Sequence, residues 1–436
     1  MNMSSSRDRL ESALQRIADP TGEGARACLT VYADAARMAA DAADARARSG
    51  ISLGPLDGAI VTIKDLFDVA GEQTRAGSKV LAEEAPPAGK DAAIVRRLRA
   101  GGAVIVAKTN MSEFAFTVIG TNPHFGTPLN PADRTRVPGG SSSGGAVAVA
   151  DGMCEIAIGS DTGGSVRIPA GLCGVVGFKP SRQRISVEGL FPLSFSLDSV
   201  GPLGRSVVDC AKADAVMAGD EWDAEAFGAP AASDLAGLRF GIAEGLPLEG
   251  LDDTVASAFA AALERLRAAN ARIASEKTAL FAKMAAVNAR GAISPVEACA
   301  IHRDRVSRRG ADIDPNVRVR IERGCTVTAA DYIYMLRERE TLVRKMDRLL
   351  LDLDALVMPT TAIVAPTAAA VADPDEFGRR NGILLRNASI GNFFDLCAIS
   401  LPLAAAPPVG LMLLARNGQD ARLLRIAAAV EALLRA

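Results

Sequence analysis

The chain has 436 residues, of which 49% are hydrophobic and 23% charged, and its formal net charge is -2. A chain of this length and apolar content can bury a large core, which excludes a disordered or fibrous protein. The near-neutral charge argues against a dedicated nucleic-acid-binding protein, so no nucleic-acid partner is expected. The two histidines, His124 and His302, leave almost no material for a histidine-based metal site or a Ser-His-Asp relay.

Hydrophobic periodicity predicts two helices at the start of the chain, over residues 7–17 and 24–48. A short apolar run at 59–63 predicts a buried strand. A helix over 92–100 then leads into a second buried strand at 103–107. Strand, helix and strand joined by short connections indicate a βαβ unit in a sheet that is covered on both faces.

The middle of the chain contains a long segment rich in Pro, Gly, Asn and Ser at residues 120–145. A loop of this length without secondary structure is usually functional or disordered. An apolar strand near 154–158 follows it and ends in a second glycine-rich turn. Residues 220–238, which are acidic and rich in alanine, are interpreted as a surface connection.

The second half of the chain is predicted to contain strands at 239–243, 355–358 and 409–414, helices at 252–269 and 420–435, and a largely helical section up to residue 351. The longest uncharged run, 396–415, is long enough to span a bilayer, but three prolines and Gly410 interrupt it. A buried strand and loop is therefore predicted there, with no membrane contact.

The cysteines form no C-x-x-C pair, which excludes a zinc knuckle or redox dithiol of that type. They are Cys28, Cys154, Cys173, Cys210, Cys299, Cys325 and Cys397. An odd, scattered set in a chain of this size indicates reduced thiols in a cytosolic protein.

The first 19 residues carry several charges and no apolar segment typical of a secretion signal. A cytoplasmic location is therefore expected.

Three stretches concentrate residues suited to chemistry: 62–66 (TIKDL), 138–145 (PGGSSSGG) and 159–170 (GSDTGGSVRIPA). In the third, a strand runs into a turn whose glycines allow close backbone approach. Consecutive N–H groups at such a turn can bind a developing oxyanion, and a serine at its end can attack a carbonyl group held there. An ordinary strand-to-helix turn is the alternative interpretation.

A serine nucleophile needs a base, and either histidine can be an ordinary surface residue. A lysine can serve when burial keeps its amine neutral. Lowering a lysine pKa from ~10.4 to ~7 requires roughly 4.6 kcal/mol, which burial can supply. Lys64 follows the apolar run 60–63 and is the best candidate for burial, although a surface lysine with a buried stem is the alternative.

The serine- and glycine-rich stretch matches other known motifs poorly. Residues 140–144 fit G-x-S-x-G formally, but the preceding residues 134–138 are polar and end in proline, unlike the strand before a nucleophile elbow. The chain contains no Gly-Lys-Ser/Thr, which excludes a phosphate loop, and no S-x-x-K, which excludes the β-lactamase arrangement. A flexible linker is the remaining alternative.

Taken together and in this order, the three stretches resemble the amidase signature family. The third continues as DTGGSVRIPAGLCGVVGFKPS at 161–181. Residues 107–114 (AKTNMSEF) are similar to the family's GKTNM-x-EFA segment, with Ala107 in place of its first glycine. Residues 196–202 (SLDSVGP) are similar to its SLD-x-x-GP segment. The resemblance extends over most of the chain.

The resemblance implies a Ser-cisSer-Lys triad in which Lys64 takes a proton from Ser165 through Ser141, and water then hydrolyses the acyl-enzyme on Ser165. The implied residues are catalytic Lys64, Ser141 and Ser165; oxyanion donors Thr162, Gly163, Gly164 and Ser165; and supporting Asp161, Arg167, Ser142 and Ser143. No cofactor and no metal are expected.

The family also implies the fold: an α/β protein with a single α/β/α domain around a large mixed β-sheet over residues 1–436. Its signature core is expected at about 55–205 and a more variable helical section at about 250–350. Substrate contacts are expected from three variable segments, 121–136, 190–196 and 285–339. Homodimers are common among relatives, so a homodimer is a possible assembly.

Three functions stay open on the sequence. The favoured one is an amidase that hydrolyses the C–N bond of a small carboxamide. The second is the A subunit of a glutamine-dependent tRNA amidotransferase, from whose usual Tyr-Gly-Arg-Val-Ser form residues 182–186 (RQRIS) depart. The third is a hydrolase of a carboxylated urea-type compound, similar to allophanate hydrolase.

The third function requires a group that binds a substrate carboxylate, and an arginine-rich segment offers one. Its members are Arg303, Arg305, Arg308, Arg309, Arg318, Arg320 and Arg323. A solvated helical face is the alternative interpretation, because four acidic residues lie among these arginines.

Overall fold

One eleven-stranded sheet organises the described residues, which are 5–228 and 230–435 of a computed structural model. In chain order its strands are β1 Cys28–Val31, β2 Ile60–Lys64, β3 Val104–Thr109, β4 Ile156–Ser160, β5 Val176–Lys179, β6 Val200–Gly204, β7 Arg239–Ala243, β8 Arg272–Glu276, β9 Ala355–Pro359, β10 Cys397–Leu403 and β11 Val409–Ala415. Their order across the sheet is β1-β3-β2-β4-β6-β5-β10-β11-β9-β7-β8.

The sheet is mixed. β2 runs parallel to both β3 and β4, and β7 runs parallel to β8 and β9. The pairs from β4 through β6, β5, β10 and β11 to β9 are antiparallel, as is β1 with β3. Because β2 and β4 are parallel, their carboxyl ends meet at one edge of the sheet. That edge carries Lys64 at the end of β2 and Ser160 at the end of β4.

Sixteen α-helices within the described residues pack around the sheet. They are α1 Ser6–Ala18, α2 Gly24–Ala27, α3 Ala33–Arg48, α4 Lys79–Glu84, α5 Ala93–Ala100, α6 Ser143–Ala150, α7 Arg167–Cys173, α8 Val207–Ala218, α9 Ala224–Phe227, α10 Asp253–Ala268, α11 Leu280–Asn288, α12 Ile293–Arg309, α13 Pro315–Cys325, α14 Ala329–Leu349, α15 Pro374–Phe393 and α16 Asp420–Arg435. The expected α/β architecture around a large mixed sheet is confirmed.

The continuous apolar run of β2 follows from its place in the sheet. All five of its residues are buried. Val61 and Ile63 belong to a core cluster that includes Leu98 of α5, whereas Ile60 belongs to a cluster that includes Leu10 of α1. A strand covered on both faces needs apolar side chains on both, which explains why the pattern does not alternate.

The predicted helix over 24–48 is wrong, because the structure divides it into α2, β1 and α3. Thr30 and Val31, whose branched side chains favour strands, pair with β3. The surrounding alanine-rich sequence obscured this four-residue strand. β5, β6 and β8 also have no counterpart among the predictions. β6 carries Pro and Gly, and β8 is a largely exposed edge strand without apolar alternation.

The uncharged run at 396–415 forms two paired strands, β10 and β11, as the prediction of a buried strand and loop requires. Among residues 5–228 and 230–435, no helix combines the length and apolar character needed to cross a membrane.

The expectation that all the cysteines are reduced thiols is wrong for one pair. Cys299 on α12 and Cys325 at the end of α13 form a disulfide, with their Cα atoms 5.3 Å apart. The other five cysteines are free and buried. The pair is 26 residues apart and carries no spacing signature, so only the hairpin that α12 and α13 form brings the two thiols together.

Helix α6 packs against neighbouring backbone through glycine. A Cβ atom on Gly144 would lie 2.5 Å from the Ala27 carbonyl oxygen and 2.6 Å from the Asn110 nitrogen. The Gly144 N–H also donates to the Asn110 carbonyl. Glycine at this position therefore allows the close approach that seats α6 and the serine-rich loop before it.

We predict that Gly144→Ala destabilises the protein by about 1 to 3 kcal/mol, because the new methyl group must displace backbone rather than a flexible side chain. Gly378→Ala on α15 is the matched control, since nothing lies within 4 Å of its Cβ position, and it should be neutral or stabilising. Urea denaturation of both variants measures the difference. Equal stability of the two would contradict the close packing of α6.

Candidate active site

Lys64 ends β2 and its side chain is fully buried. Its Nζ lies 2.7 Å from the Ser141 hydroxyl and 3.0 Å from the Ser160 hydroxyl. Burial lowers the pKa of Lys64 to about 7, and the carboxylates of Asp161 and Asp198 oppose this shift. The lysine is therefore poised between its charged and neutral forms near neutral pH.

Ser141 lies in the loop before α6 and follows a cis peptide bond between Gly140 and Ser141. Backbone hydrogen bonds hold this loop in place: Gly140 N–H donates to the Val118 carbonyl, and Ser112 N–H donates to the Ser141 carbonyl. The Ser141 side chain is fully buried, and its hydroxyl accepts a hydrogen bond from Lys64 Nζ. The structure thus brings together two of the three residues that the resemblance implies as catalytic.

Ser165 lies at the end of the glycine-rich turn between β4 and α7, and it is 2% exposed. Its carbonyl accepts a hydrogen bond from the Ser142 N–H at 3.2 Å, which places it beside the serine loop. Its hydroxyl has no hydrogen-bond partner within residues 5–228 and 230–435 and lines the cavity described below. The Ser165 oxygen is therefore free to meet a ligand.

Asp161 and Arg167, both fully buried, brace the turn from beneath. The Arg167 guanidinium donates to the Asp161 carboxylate at 2.9 and 3.1 Å and also reaches the Ala388 carbonyl and the Asn392 amide oxygen. Burial alone would raise the pKa of Asp161, but the charge and hydrogen bonds of Arg167 lower it to about 2. Asp161 is therefore a permanent anion on which the turn is built.

The carboxylate of Asp161 also determines which backbone donors of the turn remain free. It accepts hydrogen bonds from the N–H groups of Gly164 at 2.8 Å and Val166 at 3.1 Å. The Gly164 N–H, one of the expected oxyanion donors, is thus already engaged. The N–H groups of Thr162, Gly163 and Ser165 donate to no protein acceptor in the described part of the chain.

Ser142 and Ser143 belong to the packing around the site. The Ser142 hydroxyl donates to the Ser160 carbonyl at 3.4 Å, and its N–H to the Ser165 carbonyl. Ser143 begins α6, and its buried hydroxyl has no partner among the described residues.

The sequence motifs assigned no role to two residues near the site, Ser160 and Asp198. Ser160 contacts Lys64 directly, and Asp198 accepts the Thr162 hydroxyl at 2.6 Å. Burial raises the pKa of Asp198 to about 6. Asp198 stands in the SLD segment, so that segment contained a signal for it. Ser160 precedes Asp161 without any distinguishing pattern.

A cavity of about 270 Å³ opens over Ser165. Its apolar wall includes Phe116, Val118, Leu193, Leu197, Ile293, Leu385 and Phe393, and its polar lining includes Thr117, Asn288, Ser294, Arg320, Asn381, Ser389 and Asn392. Two of the predicted variable segments, 190–196 and 285–339, contribute to this lining, whereas 121–136 does not. Helix α15 also contributes, and no motif in its sequence indicated this.

The seven arginines of the arginine-rich segment divide by environment. Arg308 and Arg309 form ion pairs with Glu83 and Glu84 of α4, which supports the solvated face for that part. Arg320 on α13 instead lines the cavity and has no hydrogen bond or ion pair within the described residues. Burial lowers the pKa of its guanidinium.

Neither histidine contacts the Lys64–Ser141 pair. His124 lies 3.2 Å from a Glu113 carboxylate oxygen, and this hydrogen bond raises its pKa. His302 is fully buried against the ring of Phe114, with centroids 4.0 Å apart, so the interpretation as a surface residue is wrong for it. Burial lowers its pKa to about 3.

Among the described residues, no cluster of three or more His, Cys, Asp or Glu has a metal-binding arrangement.

Comparison with known proteins adds to this geometry. A family model for amidases matches residues 8–424. The 2-amino-5-chloromuconic acid deaminase of Comamonas testosteroni is 36% identical over 409 residues, covering 92% of this chain and 86% of that protein. The A subunit of the glutamyl-tRNA(Gln) amidotransferase of Acidothermus cellulolyticus is 40% identical over 264 residues, covering 58% of this chain and 51% of that protein. A solved amidase structure superposes with a TM-score of 0.86 at 35% identity, covering 99% of this chain and 96% of that one.

Proposed function

We propose that this chain, which belongs to the amidase family, hydrolyses the C–N bond of a small carboxamide through an acyl-enzyme on Ser165. One observation carries the proposal: a fully buried lysine with a pKa of about 7 lies 2.7 Å from the Ser141 hydroxyl, beside the turn that holds Ser165. A neutral lysine is a base, and the Ser141 hydroxyl can pass it the proton of Ser165 once the unpartnered Ser165 hydroxyl turns toward Ser141.

In the proposed mechanism Lys64 acts as a free amine. It accepts the Ser141 hydroxyl proton while Ser141 accepts the proton of Ser165, and the Ser165 oxygen attacks the amide carbon. The C–N bond then breaks, and Lys64 returns its proton through Ser141 to the leaving nitrogen. Water attacks the acyl-enzyme by the same relay, which releases the carboxylic acid and restores Ser165.

The glycine-rich turn supplies the proposed oxyanion hole. The free N–H groups of Thr162, Gly163 and Ser165 are the donors, whereas the Gly164 N–H braces the turn through Asp161. Donors fixed before the reaction stabilise the developing charge without reorganising during it. Asp161 and Arg167 act only by holding this turn.

Arg320 supports a narrower substrate class, an amide that also carries a carboxylate. A partly buried guanidinium that forms no ion pair within the described residues is unfavourable, and a substrate carboxylate would supply a direct partner. The similarity to a deaminase of 2-amino-5-chloromuconic acid, an acid by its name, points the same way. Arg320 also fits the third function considered from the sequence, a hydrolase of a carboxylated urea-type compound.

The amidotransferase function has weaker support. Similarity to the Acidothermus cellulolyticus protein covers about half of that protein's length, whereas similarity to the deaminase covers 86% of the deaminase. We therefore propose an enzyme that acts without a partner protein, as a monomer or a homodimer.

A cytoplasmic location stays a prediction. It was based on fully reduced cysteines, and the Cys299–Cys325 disulfide argues against that premise.

Ser165→Ala should lower amide turnover by at least about a thousandfold, because the acyl-enzyme can no longer form. A fluorophosphonate should label the wild-type protein at Ser165 and should not label the variant. Mass spectrometry of the labelled peptide identifies the site, and Ser389→Ala, at another serine lining the cavity, serves as the control. Normal turnover by Ser165→Ala would refute the assigned nucleophile.

The pH dependence of kcat/KM should show an acid limb near pH 7. The reaction needs Lys64 as a free amine, and the ammonium form predominates below its pKa of about 7, so activity should fall about tenfold per pH unit below that point. Lys64→Met should abolish both the activity and the limb. Lys345→Met on exposed α14 should leave the profile unchanged. A flat profile between pH 5 and 8 would contradict lysine as the base.

Arg320→Met should lower kcat/KM about a hundredfold for succinamic acid, which carries a carboxylate, because a charged hydrogen bond is lost in a partly buried site. For butanamide, which has no carboxylate, the change should be under about threefold. Arg323→Met, on the exposed face of the same helix, is the control. Equal losses for both substrates would contradict carboxylate binding by Arg320.

A further inference from the structure

Glu297 on α12 is a buried carboxylate that the proposed mechanism does not use. It is 4% exposed. One oxygen accepts hydrogen bonds from the Ser194 hydroxyl and the Ser196 N–H, and the other from the Ser196 hydroxyl and the Tyr332 hydroxyl. A single side chain therefore gathers four donors from two separate parts of the chain.

The chemistry of this arrangement is specific to a carboxylate. No Lys or Arg forms an ion pair with Glu297 among the described residues, so neutral donors alone stabilise its charge. A carboxylate only accepts hydrogen bonds and has about four sites for them, which matches the four donors. Glutamine would offer one oxygen and would direct its own N–H groups toward hydroxyl groups that now donate.

The residues held by Glu297 form one side of the substrate cavity. Leu193 and Leu197 line the cavity and flank Ser194 and Ser196, and we call residues 193–197 the wall segment. One helical turn before Glu297, the start of α12 lines the same cavity with Ile293, Ser294 and Pro295. Glu297 thus joins two parts of the lining that are about a hundred residues apart in sequence.

A second carboxylate holds the wall segment from the other side. Asp198 accepts the N–H groups of Leu193 and Ser194 at 3.0 Å each, and its other oxygen accepts the Thr162 hydroxyl. The wall segment is therefore fixed between the glycine-rich turn and α12. Its position relative to Ser165 depends on both carboxylates.

We propose that Glu297 is a positioning residue for substrate specificity: by holding the wall segment against α12, it sets the width of the cavity beyond the reacting amide. The proposal rests on the proposed function, because it takes Ser165 as the reacting atom. Without Glu297, the hydroxyls of Ser194 and Ser196 lose their common acceptor. Leu193 and Leu197 then no longer form a fixed apolar surface for the part of the substrate remote from the amide.

Contacts to that remote part contribute to reaction only for substrates long enough to make them. The test therefore compares two alkyl fluorophosphonates, one with a methyl and one with a hexyl chain, as labelling agents for Ser165. In Glu297→Gln the second-order labelling rate with the hexyl probe should fall about tenfold, which corresponds to about 1.4 kcal/mol, and that with the methyl probe by less than about twofold. A loss of folded protein would lower both rates equally.

Glu322→Gln on the exposed face of α13 is the matched control and should leave both rates unchanged. Ser196→Ala and Tyr332→Phe each remove a donor while leaving the buried carboxylate in place, and each should lower the hexyl-to-methyl ratio about threefold. They test the proposal even if Glu297→Gln fails to fold. An unchanged ratio in these variants would overturn the role of Glu297. Absence of labelling in the wild-type protein would instead overturn the proposed function itself.

Discussion

The site depends on one constraint, the burial of a lysine amine at the edge of a sheet. Lys64 is the last residue of a strand whose other four residues are buried, so the fold carries its side chain out of water. Burial disfavours the ammonium form and brings its pKa to about 7. The parallel pairing of β2 with β4 then places the hydroxyl of Ser160 beside it. The same burial that stabilises the sheet therefore supplies the proposed base, and the proposed mechanism uses no histidine.

The glycine-rich turn after β4 is built on a buried ion pair between Asp161 and Arg167. A carboxylate close to Lys64 favours its ammonium form, so the site needs an anion that braces the turn without restoring the lysine's charge. Asp161 is such an anion: it pairs with the buried guanidinium of Arg167 at 2.9 Å, and burial of Lys64 outweighs its opposing effect on the lysine pKa. Asp161 also accepts the Gly164 N–H, whereas the N–H groups of Thr162, Gly163 and Ser165 have no protein acceptor in the described part of the chain. The Asp161–Arg167 ion pair thus affects both the backbone of the turn and the pKa of Lys64.

Much of this centre could be predicted from the sequence, because its parts are contiguous. A lysine after an apolar strand and a serine after a glycine-rich turn are local patterns, and local patterns can be recognised without knowledge of the tertiary structure. The rest is determined by contacts between distant segments. Arg320 looks like any other arginine of its segment until α13 is placed against the cavity, and Glu297 meets Ser194 only through the packing of α12. The Cys299–Cys325 bridge was missed for the same reason.

This division has a physical consequence for how the enzyme can vary. The proposed reacting groups, Lys64, Ser141 and Ser165, come from strand ends and turns within residues 64–165. The remote lining comes from α11, α12, α13, α15 and the wall segment, and its main polar contacts to the centre are made by α15, where Asn392 donates to Asp161 and accepts from Arg167. Substitutions in the lining from α11, α12 and α13 can therefore change the substrate contacts without removing a hydrogen bond of the Asp161–Arg167 pair, whereas Asn392 of α15 cannot be replaced in this way. The surface arginines support this view, since Glu83 and Glu84 neutralise Arg308 and Arg309 and leave Arg320 to provide the cavity's positive charge.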